Sequence, residues 1–144
     1  FEVAGEGEQR PELERLIREA RLVDRFQLLG PVHDVPSFLT GLDVAVLPSH
    51  SESMSNALLE YMAAGRAIVA TDVGSNARLV RPGCEGLIVP PGDDGALQVA
   101  IFRYLESPPL ARALGAAARL RAGEFGREAM VRRFEDFFVS LVNG

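Results

Sequence analysis

Short apolar runs alternate along the chain with stretches of helical period. "FEV" precedes "PELERLIREARLV", "FQLLG" precedes "VPSFLTGL", "DVAVLP" precedes "SNALLEYMAAG", and "AIVAT" precedes "NARLV". Strands separated by helices pair in parallel, because the helix carries the chain back across the sheet before the next strand begins. The pattern predicts an α/β fold, a Rossmann-like parallel sheet flanked by helices. "GLIVP", residues 86 to 90, adds a fifth strand. After "PPGDD" the pattern is helical only, from about residue 95 to the C-terminus, with breaks at "SPP" and "GEFG".

The apolar stripes predict which faces are buried. Leu13, Leu16, Ile17 and Ala20 recur at i, i+3, i+4 and i+7 and are expected to face a sheet, with Pro11 in the first turn of their helix. A second helix is expected from about Ser55 to Ala64, ended by Gly65. Leu58, Leu59, Met62 and Ala63 span an arc of about 140° that faces the core, leaving Asn56 and Glu60 together on an edge outside it. The last helix carries Met130, Val131, Phe134, Phe137, Phe138 and Leu141 on one side. That stripe fits either packing on its own domain or a docking surface for a partner domain.

Composition narrows the function classes. The chain has 144 residues, 47 % of them hydrophobic, which suits a single core and argues against disorder. No apolar run approaches the roughly 18 to 20 residues needed to cross a bilayer, and the expected location is cytoplasmic, with peripheral membrane association of the full-length protein left open. A formal charge of −5 argues against nucleic acid as a partner. Cys84 is the only cysteine, and His33 and His50 lie in separate segments, so no metal is expected. All 15 basic residues are arginine.

Glu52 and Glu60 hold the candidate chemistry. Glu52 lies in the loop after the strand "DVAVLP", at the carboxyl edge where ligands of open α/β sheets bind. Helix N-termini favour anions, here through the N–H groups of Met54, Ser55 and Asn56. Carboxylates suit vicinal diols, because each oxygen accepts from a hydroxyl. An anion flanked by two hydroxyl-bearing groups is what a nucleotide sugar presents. Both glutamates can equally decorate a solvated helix end.

The stretch "LPSHSESMSNALLEYMAAGRAIVATDVGSNARLV", followed by "GCEGLIVPPGD", resembles the C-terminal, donor-binding half of retaining GT-B glycosyltransferases of the family 4 type, the glycosyl transferases of group 1. The signature is Pro48, Ser49, Glu52, seven residues, Glu60, then Ala63, Ala64, Gly65 and a strand around Val69. The resemblance runs from Phe1 nearly to the end. It implies a single, partial nucleotide-sugar-binding domain over residues 1–144. It also implies that Glu60 holds ribose hydroxyls, that Glu52 is the catalytic-site contact to the transferred sugar, and that the backbone of Ser53, Met54, Ser55 and Asn56 meets sugar hydroxyls and diphosphate. Gly30, Pro31 and Val32, in "GPVHDV", would flank the nucleobase. The implied reaction transfers a hexose-type sugar with retention to a lipid, polysaccharide or other glycoconjugate acceptor, with no cofactor and no metal ion.

The chain departs from the family pattern in several places. The opening strand, Gly-Arg loop and "KG" helix start that grip the diphosphate do not occur here, so the first strand-helix unit is missing. In a sheet ordered 3-2-1-4-5-6 that strand would stand between "FEV" and "DVAVLP". The sequence therefore reads as a fragment, inactive in transfer by itself. Its expected partners are a nucleotide sugar and an N-terminal acceptor domain, with self-association through the sheet centre or the C-terminal helix as a further route. Ala67 replaces a frequent proline, Ser75 the second glycine of a pair, and Arg78 a frequent glutamate. "AGEGEQ" offers Gly5 and Gly7, but Arg10 stands where a dinucleotide fingerprint needs a small residue, which rules against NAD. The alternative is a non-catalytic nucleotide- or partner-binding module derived from the same fold.

Overall fold

A computed structural model describes residues 1–142. The chain divides into two compact units, residues 1–38 and residues 39–144. The first contains β1 (Glu2–Ala4), α1 (Arg10–Glu19) and β2 (Gln27–Gly30). A short helix, α2 (Val35–Thr40), spans the division. The second contains β3 (Val44–Leu47), α3 (Asn56–Ala63), β4 (Ala67–Thr71), α4 (Asn76–Leu79) and β5 (Leu87–Val89). It continues with α5 (Asp94–Glu106), α6 (Pro108–Ala122), a 3-10 turn (Gly123–Phe125) and α7 (Arg127–Val142). The two expected breaks in the helical C-terminal third fall at Ser107 and at residues 123–126.

All strand pairing is parallel. β1 pairs with β2 in the first unit, and β3, β4 and β5 form a three-stranded sheet in that order in the second. All five residues of the central strand β4 are buried, which explains why "AIVAT" is a continuous apolar run up to Thr71 rather than alternating. The period of two still sorts its side chains. Ile68 and Ala70 pack with Leu58, Met62, Leu79 and Ala118, while Ala67 and Val69 pack on the other face with Ala100, Tyr104 and Leu114. Burial of each large aliphatic side chain contributes about 1.5–3 kcal/mol. Tyr104 is buried with its hydroxyl donating to Ile68 O at 3.1 Å, and burial pushes its phenol up to about 12.

Two glycines let α6 approach the end of α3. A Cβ at Gly115 would stand 2.4 Å from Gly65 O, and Gly65 itself has φ +66. Arg121 then fastens the end of α4, donating to Leu79 O at 2.9 Å and to Arg78 O at 3.0 Å.

Two faces differ from the sequence expectation, and a third is exposed. Leu13, Leu16 and Ala20 are exposed and only Ile17 is half-buried. Strands lie about 5 Å apart, so the two strands of the first unit's sheet are too narrow to cover a helix of about 10 Å diameter. Ala63 is exposed, because the buried arc of α3 is centred on Leu58 and Met62 with Tyr61, not Ala63, at its edge. On α7, Met130, Phe134, Phe137, Phe138 and Leu141 are each more than half exposed, so the stripe is not consumed by packing on its own domain. Met130, Phe134 and Phe137 instead line an open apolar cavity of about 400 Å³ with Met54, Leu59 and Phe125. Among the described residues no helix is long and apolar enough to cross a membrane.

Candidate functional site

Parallel pairing of β3, β4 and β5 brings the loops that follow them to one edge of the sheet. The loop after β3 carries Glu52 and leads into α3, where Glu60 stands about one turn into the helix. The loop after β4 lies against it. Thr71 Oγ donates to Ser49 O at 2.6 Å, and Ser75 Oγ donates to Ser53 O at 2.8 Å. Between these two bonds, Gly74 sits so close that a Cβ would stand 1.9 Å from Glu52 O. With φ +55 and no room for a side chain, that position requires glycine on two counts. Asn76, buried, donates through Nδ2 to Thr71 O at 3.0 Å and closes the turn.

Glu52 is half-buried, and one of its carboxylate oxygens accepts from Ser49 Oγ at 2.9 Å. Glu60 is exposed on the flank of α3, as is Asn56 four residues before it. Glu60 also acts on its neighbour: burial, and then the Glu60 charge, raise the Tyr61 phenol above its ordinary value.

Ser55 is the N-cap of α3, buried, with its hydroxyl accepting from Leu58 N at 3.3 Å. The sequence placed the helix start one residue early and assigned the outward N–H groups to Met54, Ser55 and Asn56. The cap sets a different group: Asn56 and Ala57 are the N–H donors of the first turn that have neither an intrahelical acceptor nor the Ser55 hydroxyl. Ser53 and Met54 are exposed, and Met54 turns its side chain into the apolar cavity beside Leu59.

Gly30, Pro31 and Val32 belong to the first unit. Gly30 ends β2, is buried, and has φ +73, with a hypothetical Cβ 2.9 Å from Glu6 Oε1. Its carbonyl accepts from Gly5 N at 2.8 Å, which gives the "AGEGEQ" turn a structural role. Pro31 is exposed and Val32 half-buried. Just beyond, the hydroxyl and the N–H of Ser37 hold the Asp34 carboxyl below its ordinary value as it caps α2.

Of the four residues that shape this loop, Ser49 belongs to the sequence signature without a stated role, and Thr71, Gly74 and Ser75 lie outside it. Ser75 had been visible as a departure from a glycine pair, and its hydroxyl explains why a serine can serve there. Thr71, at the end of an otherwise apolar strand, was a second available signal.

Comparison with known proteins adds the family. The profile described as "Glycosyl transferases group 1" matches residues 1–107. Among curated proteins, the chain is 34 % identical over 143 residues to an exopolysaccharide phosphotransferase of Streptomyces coelicolor, covering 98 % of this chain and 15 % of that protein. It is 35 % identical over 129 residues to the 2-deoxystreptamine glucosyltransferase of Streptomyces kanamyceticus, covering 88 % of this chain and 33 % of that one. Among solved structures, the Anabaena protein HepE in complex with UDP-glucose superposes with a TM-score of 0.84 at 25 % identity, over 93 % of this chain and 38 % of that chain. The chain thus spans a third or less of the length of these two curated relatives.

Proposed function

Because the chain belongs to the glycosyl transferases group 1 family, we propose that it forms the donor-binding portion of a retaining glycosyltransferase that moves a hexose-type sugar from a nucleoside diphosphate to a glycoconjugate, lipid or polysaccharide acceptor. Glu60 binds the ribose hydroxyls, and Glu52 contacts the transferred sugar. The backbone from Ser53 to Asn56, joined by Ala57, meets sugar hydroxyls and diphosphate. The observation that carries this reading is the placement of both acids on one loop-and-helix element at the carboxyl edge of the sheet. There Glu52 is held by Ser49, and Glu60 is left exposed. The UDP-glucose complex of a protein with the same fold supports it.

The developing charge on a departing diphosphate is stabilised by preorganised donors that need not reorganise as the bond breaks. The first-turn N–H groups of α3 supply such donors from this chain, and no metal ion is assigned a part. Positioning of both substrates in a cleft provides much of the rate in bimolecular transfer. The acceptor is therefore assigned to an N-terminal domain, and the exposed stripe of α7 is its proposed contact. The 144 residues are expected to bind nucleotide at best weakly and without turnover.

The test is thermal shift of the purified chain with UDP, GDP and ADP, since a ligand of the native state raises the melting temperature. Glu60→Ala is expected to weaken binding of the preferred nucleotide about 10- to 100-fold, the size of a lost hydrogen-bonded carboxylate. Unchanged affinity in that variant, measured in the full-length protein, removes the ribose assignment. The second reading, a non-catalytic binding module, is favoured by Arg78, which stands where the family frequently carries a glutamate. Nucleotide binding without transfer by the full-length protein would decide for it.

A further inference from the structure

The acidic loop is fastened at more points than its length requires. Thr71 Oγ reaches Ser49 O at 2.6 Å and Ser75 Oγ reaches Ser53 O at 2.8 Å, so the backbone on either side of Glu52 is tied to the end of β4 and to the turn that follows it. Gly74 closes on Glu52 O itself, at a distance no side chain tolerates. The carboxylate is the remaining degree of freedom. Ser49 Oγ, three residues earlier on the same loop, donates to Glu52 Oε1 at 2.9 Å.

We propose that Ser49 is a positioning residue that fixes the rotamer of Glu52 for the sugar of the bound donor, with Thr71 and the Gly74–Ser75 turn anchoring the loop on which both stand. Ser49 donates one proton to one carboxylate oxygen, leaving Oε2 and the second lone pair of Oε1 to accept from sugar hydroxyls. A free glutamate carries several rotamers that are lost on binding. A carboxylate already held in place gives up less freedom when the sugar arrives, which is the general advantage of preorganisation. Ser49 acts through Glu52, so its effect must vanish when Glu52 is absent and must not extend to the nucleotide half of the donor.

The inference rests on the donor-site reading above, and the experiment separates the two. The full-length protein is titrated with the best-bound of UDP-glucose, GDP-mannose and ADP-glucose, and with the parent nucleoside diphosphate. Ser49→Ala is expected to weaken nucleotide-sugar binding about 5- to 20-fold and to leave the nucleoside diphosphate within about twofold. Ser49→Thr, which keeps the hydroxyl, is expected to restore it. In a Glu52→Ala background, Ser49→Ala is expected to add nothing, the signature of a residue acting through its neighbour. If Glu52→Ala weakens nucleotide-sugar binding and Ser49→Ala does not, or if Ser49→Ala costs the same with and without Glu52, the positioning role is wrong and the donor site stands. If Glu52→Ala leaves nucleotide-sugar binding intact, the donor-site reading itself fails and the role of Ser49 falls with it.

Discussion

Replacing Gly74 by alanine is the sharpest perturbation of the loop that carries Glu52. Two costs are separable. The backbone at residue 74 has φ +55, and holding a residue with a side chain there costs about 1–2 kcal/mol. The added Cβ would also stand 1.9 Å from Glu52 O and 2.7 Å from its carbonyl carbon, whereas real Cβ contacts stay beyond 3.0 Å. Both neighbours are backbone, so no side chain can swing aside, and the two loops must part by on the order of 1 Å. A displacement of that size at a reacting centre lowers turnover about 100-fold. Gly92→Ala is the control: φ is +74, and the nearest atom to its Cβ is 3.9 Å away, so it carries the backbone cost without the clash. For a domain of this size each kcal/mol lowers the melting temperature by about 2–4 °C. Gly92→Ala should therefore melt roughly 2–8 °C below wild type, and Gly74→Ala, which adds the clash, should melt lower still, both measured by scanning calorimetry. Only Gly74→Ala should also lose nucleotide-sugar affinity in calorimetric titration of the full-length protein. Wild-type affinity in Gly74→Ala, or an equal loss in both variants, would refute the close packing of residues 72–75 on Glu52.

Three further outcomes are expected. Ser55→Ala removes the α3 cap that accepts from Leu58 N, and should destabilise by about 1 kcal/mol in urea denaturation. Tyr104→Phe deletes the buried donation to Ile68 O at a similar cost, about 1 kcal/mol; a melting temperature equal to wild type would show that bond to contribute nothing. Glu85 is buried, and its carboxylate accepts from the Arg81 guanidinium and, at 2.9 Å, from Arg81 N. The Arg81 side-chain bond holds its carboxyl below the ordinary 4.5 against the opposing effect of burial. Because the native value is the lower one, the stabilisation is complete above about 4.5 and is lost as pH falls through the native value. Urea midpoints measured between about pH 6 and pH 3 should fall less steeply in Arg81→Ala than in wild type.

Much of the fold is written in local pattern. "AIVAT" reads as a buried strand because its one polar residue, Thr71, stands at its end, and Gly65 before it and Asp72 after it mark ends that the structure places within two residues. The helical C-terminal third was equally legible, since Ser107 with two prolines and the "GEFG" turn interrupt it on local grounds alone. The stripe of α1 was legible as a period but not as a burial, because burial depends on how many strands stand beneath the helix. The same limit governs the site. The spacing of Glu52 and Glu60 is a property of sequence. The fastening of Glu52 by Thr71, Gly74 and Ser75 joins residues about twenty positions apart across a parallel ladder, and no local period encodes it. Ser55 shows the intermediate case: a serine opening a helix announces a cap, and recognising it would have moved the outward N–H groups to Asn56 and Ala57.

The contact of Gly115 with the Gly65 carbonyl bears on how this protein can be recombined with its relatives. Backbone meets backbone there, so any chimera that exchanges the C-terminal helices for those of a homologue must bring glycine to the equivalent of position 115. An alanine would wedge α6 away from the end of α3, on which Glu60 stands. A crossover placed in the exposed turn at residues 91–93 transfers α5, α6 and α7 together, and its success will depend on that single hydrogen atom more than on overall similarity.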